Sequence, residues 1–166
     1  MQRLRSLRFL AGVVLTLATG SAVTMASQGK AQVAAAGWSS LPVAAQGSIS
    51  AKLGRDLPAY RVRATSVGFE AQNAKKTLKA DFTPAGVTFH AAGVVWGMSL
   101  RGVGHGQQLS AVAVAAPQAS ANRVEYRRGS LTEWYVNGPV GLEQGFTLNS
   151  PPGRANGEPL TIELGL

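Results

Sequence analysis

The sequence contains no cysteine, and this absence excludes several kinds of site. Without thiols the chain has no disulfides, no thiolate metal site and no cysteine on which a lipid anchor is built. Charged residues are also scarce, at 14% of 166 residues, whereas hydrophobic residues make up 45%. That balance is typical of a folded domain and not of a disordered chain. The fold must therefore be stabilised by packing alone.

Acidic residues are few, since 8 Asp and Glu stand against 16 Lys and Arg, for a formal net charge of +8. The basic residues are scattered, and the only local clusters lie at 75–79 and at Arg127 and Arg128. Single-stranded nucleic acid requires a basic groove with aromatic stacking platforms. The sequence shows no such stripe, so we expect no nucleic-acid partner.

Long apolar runs are absent except near the N-terminus. Residues 1–8 are basic, residues 9–19 are mostly apolar, and small residues follow. This order is typical of a secretory signal peptide, and the apolar stretch is too short to span a bilayer comfortably. The small-x-small rule fits cleavage after Ala26, and it also fits later positions as far as Ala36. We expect residues 1–26 to be removed, no stable membrane span to remain, and the product to be secreted or held at the cell surface or in the periplasm.

The rest of the chain predicts one β-rich domain. An Ala/Gly/Ser-rich linker at 27–47 is followed, from Ser48 on, by short alternating runs broken by Gly, Pro and Asn. The clearest hairpin joins residues 78–82 to residues 87–89 through a tight turn. About eight to ten such strands predict an antiparallel β-sandwich, jelly-roll-like or Ig-like, over 48–166.

Three further segments carry expectations about this domain. The glycine-rich residues 102–106 are predicted to be a flexible connection, and the apolar residues 109–116 a central strand. No run shows a sustained helical period. The last strand, from Leu160, still alternates at Leu166, so we expect the module to be truncated at its C-terminus.

Residues 122–147 form a motif block. Its defining residues are Glu133, Trp134, Tyr135, Asn137, Gly138, Pro139, Gly141, Leu142, Glu143, Gln144, Gly145 and Phe146. The block, together with the turn at 82–87, resembles the N-terminal region of large exported bacterial proteins that carry FG-GAP, integrin-like β-propeller repeats. The resemblance covers about residues 57–166. It implies an accessory β module of a surface or secreted protein, with downstream propeller repeats or another surface protein as partner.

The residue types of the block favour structural roles. Trp134 is large enough to anchor a core, and Asn137-Gly138 suits positive φ before the rigid Pro139. Gly141 and Gly145 permit bends or bulges. The calcium loops of FG-GAP repeats are absent, because the chain has no D-x-D-x-D-G run. We therefore expect no metal and no cofactor here.

Two sets of residues are candidates for a catalytic or a metal site. Glu133 and Glu143 are predicted to share an outward face with Tyr135, at a spacing that suits an inverting glycosidase. Nothing in the sequence raises the pKa of either carboxyl, so we expect no enzyme. His90 and His105 would need a third metal ligand, Asp81 or Glu70, and their spacing matches no metal motif.

The sequence therefore favours a non-enzymatic exported β-sandwich module with a structural or interaction-mediating role. The alternative is a carbohydrate-binding module, in which Tyr135 and Tyr60 are exposed and stack on the sugars of a polysaccharide. Against this alternative, Trp96 and Trp134 are expected to belong to the core, and Trp38 lies in the linker. A glycoside hydrolase is a distant third interpretation.

Overall fold

The computed structural model describes residues 40–154 and 157–166. The predicted leader at 1–26 and most of the predicted linker lie outside these residues. The described chain begins with helix α1 (Val43–Asp56), and 3-10 turns lie at Pro58–Tyr60 and Ala74–Lys76. The strands are β1 (Arg63–Ala64), β2 (Phe69–Asn73), β3 (Leu78–Thr83), β4 (Gly86–Ala91), β5 (Val94–His105), β6 (Gln108–Ala111), β7 (Pro117–Ser120), β8 (Arg123–Arg128), β9 (Leu131–Gly138), β10 (Gly141–Leu148) and β11 (Leu160–Gly165).

The strands form two antiparallel sheets that pack face to face. The seven-stranded sheet has the order β1-β2-β3-β4-β5-β11, and β6 also pairs with β5. The four-stranded sheet has the order β10-β9-β8-β7. Neighbours along most of each sheet are also neighbours in sequence, as short hairpin connections require. The predicted antiparallel β-sandwich is confirmed.

The predicted hairpin is the pair β3 and β4. Its ends meet at Thr83 and Gly86, so the turn has two central residues, of which Pro84 restricts the backbone at the first. Phe82 and Val87 face each other across the pair, and both are buried. The alternation of apolar and polar residues therefore placed the correct face of both strands toward the core.

The core between the sheets contains two clusters of apolar side chains. In the larger, the Phe82 and Tyr135 rings meet edge to face with centroids 5.1 Å apart, so the two sheets contact each other through aromatic rings. The smaller cluster lies nearer β11 and contains Leu100 and Phe146. Burying each large apolar side chain contributes roughly 1.5–3 kcal/mol, so the two clusters dominate the stability of the fold.

Two segment predictions are wrong. Residues 102–106 are not a flexible connection, because β5 continues through them to His105. A side chain at Gly104 would collide with the carbonyl of Gln108 on β6, so this glycine allows a close approach between strands. Residues 109–116 are not a central strand: β6 ends at Ala111 and is mostly exposed.

Helix α1 was not predicted, and it crosses the boundary drawn between linker and module at 47–48. The helix buries its smallest residues, Gly47, Ser50 and Gly54, against the four-stranded sheet. Its larger apolar side chains, Ile49 and Leu53, remain 39% and 41% exposed. Within the described part of the chain, no helix has the length and apolarity needed to cross a bilayer.

Candidate functional site

The defining residues of the motif block form the β9–β10 hairpin, whose register decides which side chains meet. Tyr135 lies opposite Gln144, and Trp134 lies opposite Gly145. Opposite residues of an antiparallel pair share a face. Tyr135 and Gln144 therefore face the seven-stranded sheet, whereas Trp134 faces the other way. The prediction that Tyr135 points outward is wrong, since its side chain is 1% exposed.

Both faces of β9 are buried, which simple alternation cannot reveal. One face packs on the seven-stranded sheet, and helix α1 covers part of the other. The backbone N–H of Val140 donates to the Ser50 hydroxyl at 3.2 Å, which links the hairpin to the helix. The motif block is therefore the centre of the domain, with a layer on each side.

Within the hairpin turn, the structure differs from the predicted geometry. Asn137 and Gly138 lie inside β9 and do not adopt positive φ; the residue that does is Gly141, at +132°. Pro139 and Val140 form the two-residue turn between Gly138 and Gly141. The turn therefore consists of Pro139 and Val140, and not of Asn137 and Gly138, the residues whose types suit a turn.

A buried polar network lies on the inner face of the four-stranded sheet. Glu133 Oε1 accepts hydrogen bonds from the Tyr135 hydroxyl at 2.7 Å and from Gln144 Nε2 at 3.2 Å. Glu133 Oε2 accepts one from Arg128 Nη2 at 3.3 Å. Arg128 Nη1 also donates to the carbonyl of Ala113 at 2.6 Å. The side chains of Arg128 and Glu133 are only 5% and 3% exposed, so this is an ion pair inside the sandwich.

The network holds its tyrosines in the neutral form. Burial, and then the adjacent Glu133 carboxylate, raise the pKa of Tyr135 far above its ordinary value. Burial, and to a smaller extent the negative charge of Glu133, also raise the pKa of Tyr126. The Tyr126 hydroxyl donates a hydrogen bond to the carbonyl of Thr83 at 3.0 Å. Both hydroxyls therefore act as hydrogen-bond donors at all ordinary pH values. The arrangement stabilises the contact between the sheets.

A second buried cluster consists of three asparagines. Asn137 Nδ2 donates to the carbonyls of Tyr60 and Gln72, and Asn137 Oδ1 accepts from Asn73 Nδ2 at 2.9 Å. Asn122 Nδ2 donates to the carbonyl of Ala51 in α1 at 3.1 Å and to the carbonyl of Asn137 at 2.6 Å. These amides therefore connect the helix to both sheets. The role of Asn137 in the motif block is to bridge the two layers.

Glu133 and Glu143 cannot act as a catalytic pair, because they lie on opposite faces of the four-stranded sheet. Glu143 lies opposite Val136 on the outer face, beneath Gly47 of α1. Burial raises the pKa of Glu143, and the neighbouring Arg123 opposes that rise. The prediction that the two carboxylates share an outward face with Tyr135 is wrong, since Glu133 is buried and ion-paired.

The histidines are also separated. His90 Nε2 lies 2.9 Å from Asp81 Oδ2 on the outer face of the seven-stranded sheet, where Lys79 Nζ bridges Asp81 and Glu70. His105, at the end of β5, bonds through Nδ1 to the carbonyl of Glu158 at 3.1 Å. Among residues 40–154 and 157–166, no three His, Asp or Glu side chains are grouped so that they could hold a metal ion.

The aromatic side chains offer no sugar-stacking platform in the described part of the chain, where each is buried or half-buried. Tyr60, expected near a sheet edge, is 4% exposed. Trp134 is 6% exposed: its ring lies over Gly145, and the Arg123 guanidinium carbon stands 4.6 Å from the ring centroid. Gly145 thus makes room for an indole and does not form a bend. The expectation of exposed Tyr60 and Tyr135 is wrong.

An open groove lies between α1 and the turn that joins β7 to β8, with a volume of about 480 Å³. The helix contributes Ser48, Lys52 and Arg55, which are three and four residues apart and therefore share one face. The strand side contributes Ser120, Asn122 and Arg123. Among the described residues that line the groove, none is acidic. We take this basic groove as the candidate functional site.

Sequence reasoning missed the basic groove because it missed the helix. The available signal was weak: Lys52 and Arg55 follow Ser48 at helical spacing, in a segment whose Gly and Ser content argues against a helix. Arg123 lies within the motif block at 122–147, whose residue types favour structural roles.

Comparison of the chain with models of protein families, with curated proteins and with solved structures found no match.

Proposed function

We propose that this chain is a non-enzymatic exported β-sandwich module, with a structural or interaction-mediating role in a surface or secreted protein. One observation carries the proposal. The acidic, tyrosine and amide groups of the motif block bond to one another inside the domain, whereas the basic groove is open to solvent. Groups buried in this way stabilise a fold, and an open groove lined by cations attracts an anionic partner.

Two features of the sequence support export and the wider context. Residues 1–26 have the order of a secretory leader, which supports a location outside the cytoplasm. The resemblance of residues 122–147 to the N-terminal region of exported FG-GAP proteins supports a place beside propeller repeats. No described aromatic row favours the alternative of a sugar-stacking module.

The proposal is tested by expressing the full chain with a C-terminal epitope tag in an exporting bacterium. We expect a product outside the cytoplasm that is shortened at Ala26 or at a later small-residue site, as mass spectrometry will show. The purified product should rebind saturably to envelopes stripped of it, and the heat-unfolded product should not. Retention of the intact leader in the cytoplasm, or failure of the folded product to bind envelopes, would overturn the proposal.

The propeller association has its own test, which is to read the gene beyond the Leu166 codon. We expect the reading frame to continue into Asp-rich repeats. A stop codon directly after Leu166 would remove the propeller association while leaving the export and binding proposals to be judged by the envelope experiment.

A further inference from the structure

We propose that the basic groove binds an acidic oligosaccharide, whose carboxylates are held by Lys52, Arg55 and Arg123. The inference rests on the proposed function, because it names the class of ligand through which an exported module would attach. Its three cations are not among the candidate catalytic, metal-binding or sugar-stacking residues of the sequence.

The three cations lie on opposite walls of one groove. Lys52 and Arg55 project from α1, and Arg123 projects from β8. Lys52 makes no ion pair with any described residue. Arg55 is paired only loosely, with Nε 3.7 Å from Asp56 Oδ1, and both side chains are more than half exposed. Such an exposed pair contributes little, so Arg55 remains available to another anion.

Arg123 is held in place before any ligand arrives. Its Nε donates to Glu125 Oε1 at 2.7 Å, and its guanidinium lies against the Trp134 ring. Its Nη groups donate no hydrogen bond to a described residue. A guanidinium fixed through Nε presents its other donors in a geometry that suits a carboxylate, and the fixation lowers the entropy lost on binding.

The uncharged part of the groove suits a sugar better than a peptide. Ser48 and Ser120 offer hydroxyls, and the apolar lining consists of small side chains such as Ala51 and Val136. Peptide recognition relies on large side-chain anchors in pockets or on strand addition, and this lining provides no deep apolar pocket for an anchor. Sugar hydroxyls and C–H groups need only hydrogen bonds and shallow apolar contact.

Nucleic acid is the other polyanion that a basic groove attracts. Binding of single strands depends on bases stacked on aromatic side chains. Among the described residues, the aromatic ring that Arg123 contacts is Trp134, which is covered by the guanidinium and is 6% exposed. The observations therefore favour a carboxylated sugar over a nucleic acid.

The test uses the exported full-chain product and hexagalacturonate as the probe, with maltohexaose as the uncharged probe of equal length. Isothermal titration at low ionic strength should show binding of hexagalacturonate alone. Lys52→Ala/Arg55→Ala should weaken this binding about tenfold or more, because two charge-assisted contacts are lost. Raising the salt concentration to 0.5 M should weaken it as well, since these charges are exposed.

The matched control is Lys75→Ala/Lys76→Ala, which removes two exposed lysines from the 3-10 turn Ala74–Lys76. It makes the same change in net charge away from the groove, and hexagalacturonate binding should be unchanged. Equal losses in both variants would mean diffuse attraction and would overturn the proposal, as would failure of the native product to bind hexagalacturonate. Tighter binding of hexaglutamate or of a thymidine hexanucleotide would overturn it in favour of a peptide or a nucleic acid.

These outcomes are distinguishable from failure of the proposed function. If the product rebinds to envelopes but ignores hexagalacturonate, the interaction module stands and its ligand is another one. If it binds hexagalacturonate through the groove but does not rebind to envelopes, the site stands and the attachment role fails.

Discussion

The buried ion pair between Arg128 and Glu133 allows a demanding test of the fold, through Glu133→Gln. Glutamine has the same shape and keeps one oxygen for the Tyr135 hydroxyl. The new amide nitrogen, however, is a donor and faces Arg128 Nη2. In the native protein Arg128 Nη2 donates a hydrogen bond to Glu133 Oε2 at 3.3 Å. Arg128 is 5% exposed and its Nε already lacks a partner. Leaving a buried charge unpaired costs about 3–5 kcal/mol, a large fraction of the 5–15 kcal/mol of a typical domain.

The assay is equilibrium unfolding in urea at neutral pH, followed by tryptophan fluorescence, to which the buried Trp134 contributes. The control is Glu125→Gln, the same chemical change on the outer face of the same sheet. Glu125 accepts from Arg123 at 2.7 Å and from Arg127 at 2.9 Å, so its ion pairs are shorter than the buried one. Because its side chain is 22% exposed and that of Arg127 is 66% exposed, solvent screens the loss. We expect about 1 kcal/mol or less.

A double variant, Arg128→Met/Glu133→Gln, separates the charge from the packing. Without the guanidinium, the glutamine no longer faces an unpaired cation. The double variant should therefore recover most of the stability that Glu133→Gln loses, as replacement of a whole buried ion pair commonly does. The reasoning is refuted if Glu133→Gln costs no more than Glu125→Gln, or if the double variant is no more stable than Glu133→Gln alone.

Three further predictions concern single positions. Gly145→Ala should lower the free energy of unfolding by about 1–3 kcal/mol in urea titration, because a side chain there collides with the Trp134 ring; an unchanged midpoint contradicts this packing. Ala92→Asn should stabilise the fold by up to about 1 kcal/mol, seen as a higher thermal midpoint, since φ at Ala92 is +48° in a two-residue hairpin turn; a lower midpoint would show that the turn is not of this type. Hydrogen bonding from Arg123, ahead of the other causes, lowers the pKa of Glu125 below 4.5. The stabilisation relative to Glu125→Gln should therefore be complete above pH 4.5 and disappear as the pH falls through the lower, folded pKa, and a gap that widens in acid contradicts it.

The β3–β4 hairpin shows what the sequence alone can establish. Its strands have one face in the core and one in solvent, so apolar and polar residues alternate, and a Pro-containing turn separates them. Each of these features involves residues close together in the chain, so it is visible in the sequence itself. The last strand, β11, was also predictable from alternation, but its register shifts between Glu163 and Leu164, and Leu160 and Leu166 are exposed.

The β9–β10 hairpin shows where that reasoning stops. Trp134 and Tyr135 are adjacent and both are buried, one on each face, so neither marks the inside of the sandwich. The inner face also contains Glu133 and Gln144, which hydropathy assigns to solvent. Their placement depends on Arg128, whose pairing with Glu133 lies across two strands. Polar residues that are buried because they satisfy one another leave no periodic signal.

Helix α1 explains both the missed element and the missed site. Gly47, Ser50 and Gly54 face the sheet, and a side chain at Gly54 would collide with the carbonyl of Asn137. The helix axis therefore lies close to β9, and its small residues face the sheet. This is the reverse of the hydrophobic pattern by which amphipathic helices are identified. A helix that packed through leucines would stand farther from the sheet, and its lysine would rise away from Arg123. The same inversion that hides α1 from hydropathy thus brings Lys52 to the edge of the groove opposite the cation of β8.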